Sequence, residues 1–251
     1  MKYSIITPSY DQPVKARRCI ESLLAQPHLD WELIFINDSP SVDYSQVRNL
    51  VSSDDRITYI ENDQNRGSNF SRNKGLQKIS QDVDYVIFLD DDDWLASDSL
   101  ADLQILLQKH DFPDWLVSNR ARSSGVPLTQ IKKDLRNKSI SYWWSYLIKK
   151  NITGDATHCI SRKSLERDNP LFSKQVKNGE EWYFFSQISP RFIYEPINSS
   201  LTDGYSSEGL NQKMQTTYCQ NTFLLWREKR NLKIFAYLLL RSVRCTQRKK
   251  L

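Results

Sequence analysis

Tyr85-Val86-Ile87-Phe88-Leu89-Asp90-Asp91-Asp92-Asp93-Trp94 is the stretch on which the reading of this chain turns. An unbroken apolar run of this length suits a strand covered on both faces better than one with a wet side. Consecutive carboxylates follow it at once, and like charges so close repel one another. At the end of a covered strand they cannot all disperse into water. A hard divalent cation, bound by one or two carboxylates together with substrate phosphates, relieves that repulsion. An acidic turn ahead of a helix also complements the helix dipole. The surrounding sequence has to separate these two readings.

Outward from this stretch, Tyr3–Thr7, Trp31–Asn37 and Ile57–Glu61 are further apolar runs, read as strands buried on both faces. Val14–Ala25, Tyr44–Ser52 and Ser68–Ile79 lie between strands and carry apolar residues at helical spacing, Ile20, Leu23 and Leu24 among them. Another helix is expected from Ser97-Asp98 through Lys109, with Ser97 as its N-cap. This alternation predicts an α/β fold: a mostly parallel, Rossmann-like sheet flanked by helices. Ligands of such sheets sit at the carboxyl ends of the strands. Pro8-Ser9-Tyr10-Asp11, Asn37-Asp38-Ser39 and the aspartates each follow a strand, so three polar clusters are expected along one edge.

The second half is less regular. Trp115–Asn119 reads as a strand, Ser141–Lys150 as an aromatic-rich helix, and His158–Ser161 as a strand entering a helix at Arg162. Glu180–Ile188 reads as a helix with an acidic first turn. Asn198–Lys213 reads as a polar loop long enough to be a lid.

With 39% hydrophobic and 26% charged residues, the chain has the composition of a globular protein. Its four cysteines form no Cys-x-x-Cys pair, so neither a disulfide framework nor a thiolate metal site is indicated. The net charge of +5 is uneven. Arg227–Lys250 holds nine Lys or Arg against Glu228, a local +8, which leaves −3 on the rest. A body of that charge argues against nucleic acid as partner. The tail, with Trp226, Leu232, Phe235 and Leu238–Leu240 among its cations, suits an anionic membrane surface at about 1 kcal/mol per well-placed cation, or packing on the body. The N-terminus does not read as a signal peptide, and no apolar run approaches the ~20 residues of a membrane span. A cytoplasmic location is expected, peripheral on the inner face of the plasma membrane if the tail binds lipid.

Taken together, the chain resembles the family-2 glycosyltransferases of the GT-A fold over most of its length. The resemblance is carried by Ser4–Tyr10, Glu32–Ser39, Asn65-Arg66-Gly67 with Arg72-Asn73-Lys74-Gly75, Leu89–Trp94, and Gly179-Glu180-Glu181-Trp182. It implies an inverting, metal-dependent hexosyltransferase. The sugar would pass from a UDP-sugar to a glycan or lipid-linked glycan acceptor, in surface polysaccharide synthesis. Residues 1–215 would form the GT-A domain, with 1–120 binding the nucleotide sugar, 121–215 forming a smaller acceptor-side region, and 216–251 a basic amphipathic helix.

Residue by residue, the resemblance implies that Pro8, Ser9 and Tyr10 line the nucleoside pocket and that Asp38 recognises the base. Asn37-Asp38-Ser39-Pro40 departs from the family's usual Asp-Asp-Gly-Ser, which leaves the turn there open. Asp90-x-Asp92 matches the Asp-x-Asp signature, with Asp92 ligating Mn2+ or Mg2+, Asp90 at the ribose or a metal-bound water, and Asp93 toward the sugar. Asp91, also acidic, leaves the register open. Arg72 and Asn73 are donor contacts on this reading, although Gly67-Ser68 at a helix start is good capping whatever the function. Glu181, beside Glu180, would be the base that deprotonates the acceptor. A helix N-terminus alone would also favour both glutamates. Lys213 is the cation nearest the loop that the family lays over the donor phosphates.

His158, in an apolar stretch, reads as a core residue. Trp143, Trp144 and Tyr146 would form core or a sugar-stacking wall. Competing functions are sugar transfer to polyprenyl phosphate and a non-catalytic membrane-associated scaffold of the same fold. A nucleotidyltransferase would need a glycine-rich N-terminal loop, and Pro8–Pro13 contains no glycine.

Overall fold

The computed structural model describes residues 1–129, 139–142, 156–176, 180–189 and 191–203. In chain order the elements are β1 (Tyr3–Ser9), α1 (Pro13–Leu24), β2 (Trp31–Asn37), α2 (Ser45–Val51), β3 (Ile57–Glu61), α3 (Ser68–Leu76), β4 (Tyr85–Phe88), β5 (Asp93–Leu95), α4 (Ser99–Lys109), β6 (Trp115–Arg122), β7 (Ala156–Ser161), α5 (Arg162–Asp168), α6 (Glu180–Phe185) and β8 (Ile193–Thr202). The strands form one eight-stranded sheet in the order β3-β2-β1-β4-β7-β6-β8-β5. It runs unbroken across the expected division at residue 120.

Alternation along the strands builds a core on each face. Ile5, Leu33, Phe35 and Ile87 point to one side, where Ala16, Cys19, Ile20 and Leu23 of α1, Val47 and Val51 of α2, and Leu100, Leu103 and Leu107 of α4 cover them. Ile6, Ile34, Ile36 and Val86 point to the other, toward Leu165 of α5 and Tyr183, Phe184 and Phe185 of α6. α1, α2 and α4 each present residues three or four apart, which explains why the apolar spacing marked them. Proline at the first position of α1 fits a site where a backbone donor has no helical acceptor. Gly75 lets α3 lie directly on β1, since a Cβ there would stand 2.5 Å from Ile6 Cγ2.

β1, β2, β3 and β4 are mutually parallel, as expected. The far half is mixed: β7 runs antiparallel to β4 and β6, and β5 antiparallel to β8. Three further expectations are corrected. β3 is an edge strand and only partly buried, because the sheet stops beside it. Ser97 is not an N-cap: α4 starts at Ser99, after Asp98, without a side-chain cap. Asn198–Thr202 is strand rather than loop. Its hydroxyls are satisfied inside the sheet, Ser199 Oγ by Ser118 Oγ at 2.6 Å and Ser200 Oγ by Thr157 Oγ at 2.7 Å. Paired hydroxyls can be buried at little cost, so polarity there did not mean solvent. Lys213, the remainder of the expected loop, Trp143, Trp144, Tyr146 and the 216–251 segment lie outside the described residues. Among the described residues no helix is long and apolar enough to cross a membrane.

Candidate active site

The acidic quartet spans the break between two strands. β4 ends at Phe88, and Asp93 already belongs to β5, paired opposite Thr202 of β8. The turn between them sends the four side chains in different directions. Carboxylate oxygens of Asp90, Asp92 and Asp93 lie within 4.8 Å of one another. Asp91 lies apart from them, also buried, and accepts a 2.6 Å hydrogen bond from Ser9 Oγ. Ser9 Oγ is in turn 2.7 Å from Tyr44 Oη. Burial first, and then the charges of Asp90 and Asp92, push Asp91 up to about 7. The turn thus brings three carboxylates together and turns the fourth, Asp91, to Ser9.

The three differ in their partners. Asp90 receives a 2.6 Å bond from the Arg72 guanidinium. Burial works against its charge, yet the charge and hydrogen bond of Arg72 outweigh that and hold the carboxyl below its ordinary range. Asp93 receives a 2.8 Å bond from Arg120, and burial outweighs this ion pair, raising it to about 6. Among the described residues nothing bonds to the Asp92 carboxylate. Its backbone carbonyl, by contrast, accepts from Arg18 at 3.2 Å, and the Arg18 guanidinium lies 3.9 Å over the Trp94 ring and pairs with Asp203. An anchored backbone with an open carboxylate, flanked by two more hard oxygen donors, fits a divalent cation such as Mn2+ or Mg2+.

Arg72 connects this cluster to α6. It is 4% exposed, with Glu180 at 3.6 Å and Glu181 at 3.8 Å on its other side. Loss of bulk water around Glu181 and the charge of Asp90 push that carboxyl up to about 7, against the opposing pull of Arg72. The Glu181 side chain still keeps 45% of its surface exposed, so its carboxylate is open to an incoming group. Both glutamates thus stand beside Arg72, at the first turn of α6.

A cavity of about 410 Å³ lies between the loops after β1, β2 and β3, lined by Tyr10, Asp11, Asp38–Val42 and Asp63–Asn65. Of the three residues expected to line a nucleoside pocket, Tyr10 lines this cavity, half exposed. Pro8 and Ser9 are buried in β1. Asp38 touches the cavity, but its oxygens are engaged internally: Oδ1 accepts from Asn62 Nδ2 at 2.7 Å and Arg66 N at 2.8 Å, and Oδ2 from Gly67 N at 2.6 Å. It fixes the loop that starts α3. Asn73, expected at the donor, instead bonds through both ends of its amide to the backbone of Phe172. His158 is a core residue as expected, stacked on Phe185 at 3.9 Å, and burial lowers it to about 3.

Sequence reading missed Arg18, Tyr44, Asn62 and Arg120. Arg120 lies one residue past the expected end of its strand, and a cation at the tip of a strand running toward an acidic cluster was a signal within reach. Arg18 and Tyr44 lie on elements read only for their apolar faces.

The sequence profile of Glycosyl transferase family 2 matches residues 4–171. A GalNAc(5)-diNAcBac-PP-undecaprenol beta-1,3-glucosyltransferase of Campylobacter jejuni is 39% identical over 104 residues, 41% of this chain and 33% of that protein. The putative colanic acid biosynthesis glycosyl transferase WcaA of Escherichia coli K12 is 37% identical over 194 residues, 74% of this chain and 65% of that one. The match thus spans less than two thirds of either relative. The 1-349 fragment of S. aureus TarS in complex with UDP-GlcNAc superposes with a TM-score of 0.72 at 18% identity, covering 95% of this chain and 72% of that fragment, a likeness of fold. With the profile covering most of the chain and the GT-A sheet beneath it, the chain belongs to glycosyl transferase family 2.

Proposed function

We propose that this protein is an inverting glycosyltransferase that moves a sugar from a UDP-sugar to a carbohydrate or lipid-linked glycan acceptor. The observation that carries the reading is the placement of Glu181 across Arg72 from the clustered carboxylates of Asp90, Asp92 and Asp93. Two sites of opposite task face each other there, one for a charged leaving group and one for a proton.

The nucleoside fits the cavity between the strand ends, with Tyr10 offering its ring. Asp92, with Asp90 and Asp93, would hold a divalent cation, which when bound offsets the charge of the departing diphosphate. Glu181 accepts the proton of the acceptor hydroxyl as that oxygen forms its bond to the anomeric carbon. The bond from that carbon to the diphosphate oxygen breaks on the opposite face, which inverts the centre. Arg72 keeps Asp90 ionised and lowers Glu181 toward the range in which a base works near neutral pH.

The names of the C. jejuni glucosyltransferase and the E. coli colanic acid enzyme support an acceptor in surface-glycan synthesis, lipid-linked in the first case. The basic tail supports a peripheral position on an anionic membrane face. Ending the chain after Gln220 should then reduce pelleting with anionic vesicles, and unchanged pelleting refutes the membrane reading.

Thermal unfolding with nucleotide and Mn2+ tests the donor. UDP with Mn2+ is expected to raise Tm more than either alone. A response to GDP only would redirect the donor assignment, and no response to either would overturn it. A screen of UDP-sugars for metal-dependent release of UDP then identifies the sugar.

A further inference from the structure

Asn69 and Asn73 lie one turn apart on α3, which also carries Arg72, and both bond to the backbone of 172–176. Asn73 Nδ2 donates to the carbonyl of Phe172 at 2.8 Å, and Asn73 Oδ1 accepts from Phe172 N at 2.9 Å. Asn69 Nδ2 donates to the carbonyls of Ser173 at 2.9 Å and Val176 at 2.8 Å. The stretch they grip has no helix or strand of its own. Only a primary amide offers a donor and an acceptor in one plane to match the N–H and C=O of a single residue.

The same stretch is held from α6. Gln187, just past that helix, donates to the carbonyls of Leu171 at 2.9 Å and Tyr183 at 3.2 Å. The Phe172 ring stacks on Phe184 at 4.2 Å with 10° between planes, and meets Phe88 edge-on at 5.2 Å. Phe184 follows Glu181 by one helical turn. Leu171-Phe172 is therefore a rung between α3, which carries Arg72, and α6, which carries Glu181.

We infer that Asn69 and Asn73 are positioning residues for Glu181, setting α6 against α3 through the Leu171–Val176 segment. The inference rests on the reading of Glu181 as the base. Neither asparagine touches reacting atoms; each acts through the backbone of that segment. A displacement of about 1 Å at a base can cost about 10²-fold in rate, which is the scale of effect expected.

The test uses the full chain with Asn73→Asp, Asn73→Leu, Asn69→Ala and Gln187→Leu. Release of UDP from the best-hydrolysed UDP-sugar is measured alongside UDP affinity and amide hydrogen exchange across 171–185. The expected result is a loss of kcat of about 10²-fold in Asn73→Leu and a smaller loss in Asn73→Asp, which keeps the acceptor for Phe172 N. UDP affinity should change less than about twofold, exchange in 171–185 should rise, and Gln187→Leu should reproduce the pattern from the α6 side. UDP affinity falling in step with kcat would make Asn73 a donor contact and overturn the inference. So would unchanged exchange in Asn73→Asp, the variant that decides if Asn73→Leu does not fold. Glu181→Gln is run in parallel: if it still hydrolyses donor, the base reading fails, while exchange in the asparagine variants still reports whether they hold α6.

Discussion

Arg72 donates to Asp90 at 2.6 Å while its guanidinium lies 3.8 Å from Glu181, so one buried cation serves both sides of the cleft. Among the described residues its Nε and Nη1 atoms have no hydrogen-bond partner. A cation buried to this degree is stable because three acids surround it. Replacing it with Met should remove the stabilisation of ionised Glu181. The acid limb of kcat/KM is then expected to move to higher pH than in the parent protein. A limb that stays in place would show that Arg72 does not tune Glu181.

Glu181 itself, raised to about 7, must be ionised to accept a proton. Because its value is raised, the working form is lost as pH falls through about 7, and kcat/KM should decline tenfold per unit below that. Glu181→Gln should keep UDP binding and lower turnover by about 10²–10⁴-fold. Near-parent turnover in that variant rules Glu181 out.

Asp92→Asn and Asp91→Asn should separate cleanly. Asp92 is expected to be needed for the Mn2+-dependent rise in Tm, whereas Asp91, bonded to Ser9 beneath the turn, should be dispensable for it. The sign of the Asp91 effect on stability follows from its raised value of about 7. Its ionised form is disfavoured in the fold, so the burden grows as pH rises from the ordinary carboxylate range to about 7 and persists above. Asp91→Asn should therefore raise Tm at pH 8 and do little at pH 4. Loss of the Mn2+ response in Asp91→Asn would reassign the ligands.

Gly75→Ala places a methyl 2.5 Å from Ile6 Cγ2 and 3.3 Å from Ile36 Cδ1, both on fully covered strands. Overpacking of this kind costs about 1–3 kcal/mol, against the small gain of alanine in a helix. Denaturant melts should show the loss, with Tm lowered about 2–4 °C per kcal/mol for a chain of this size. An unchanged midpoint would mean that α3 shifts off β1 at no cost.

Much of this was legible in the sequence. β2 and β3 were bounded to the residue, and α5 was placed at its first residue, because apolar runs, helical spacing and strand ends are local signals. The position of the acidic quartet after a covered strand pointed to the edge of the sheet where three of its carboxylates cluster. Burial and charge pattern act over a few residues, and a linear reading captures them. What only the tertiary structure decided is which polar side chain faces what. Asp91 is claimed by Ser9 across 82 residues of sequence, and Asn73 by Phe172 across 99. Asn198–Thr202 became strand because hydroxyls of Ser118 and Thr157 were waiting inside the sheet. A hydrogen bond between distant residues leaves no periodicity in the chain, so the sequence showed where the acids stand and the fold alone set which partner each one meets.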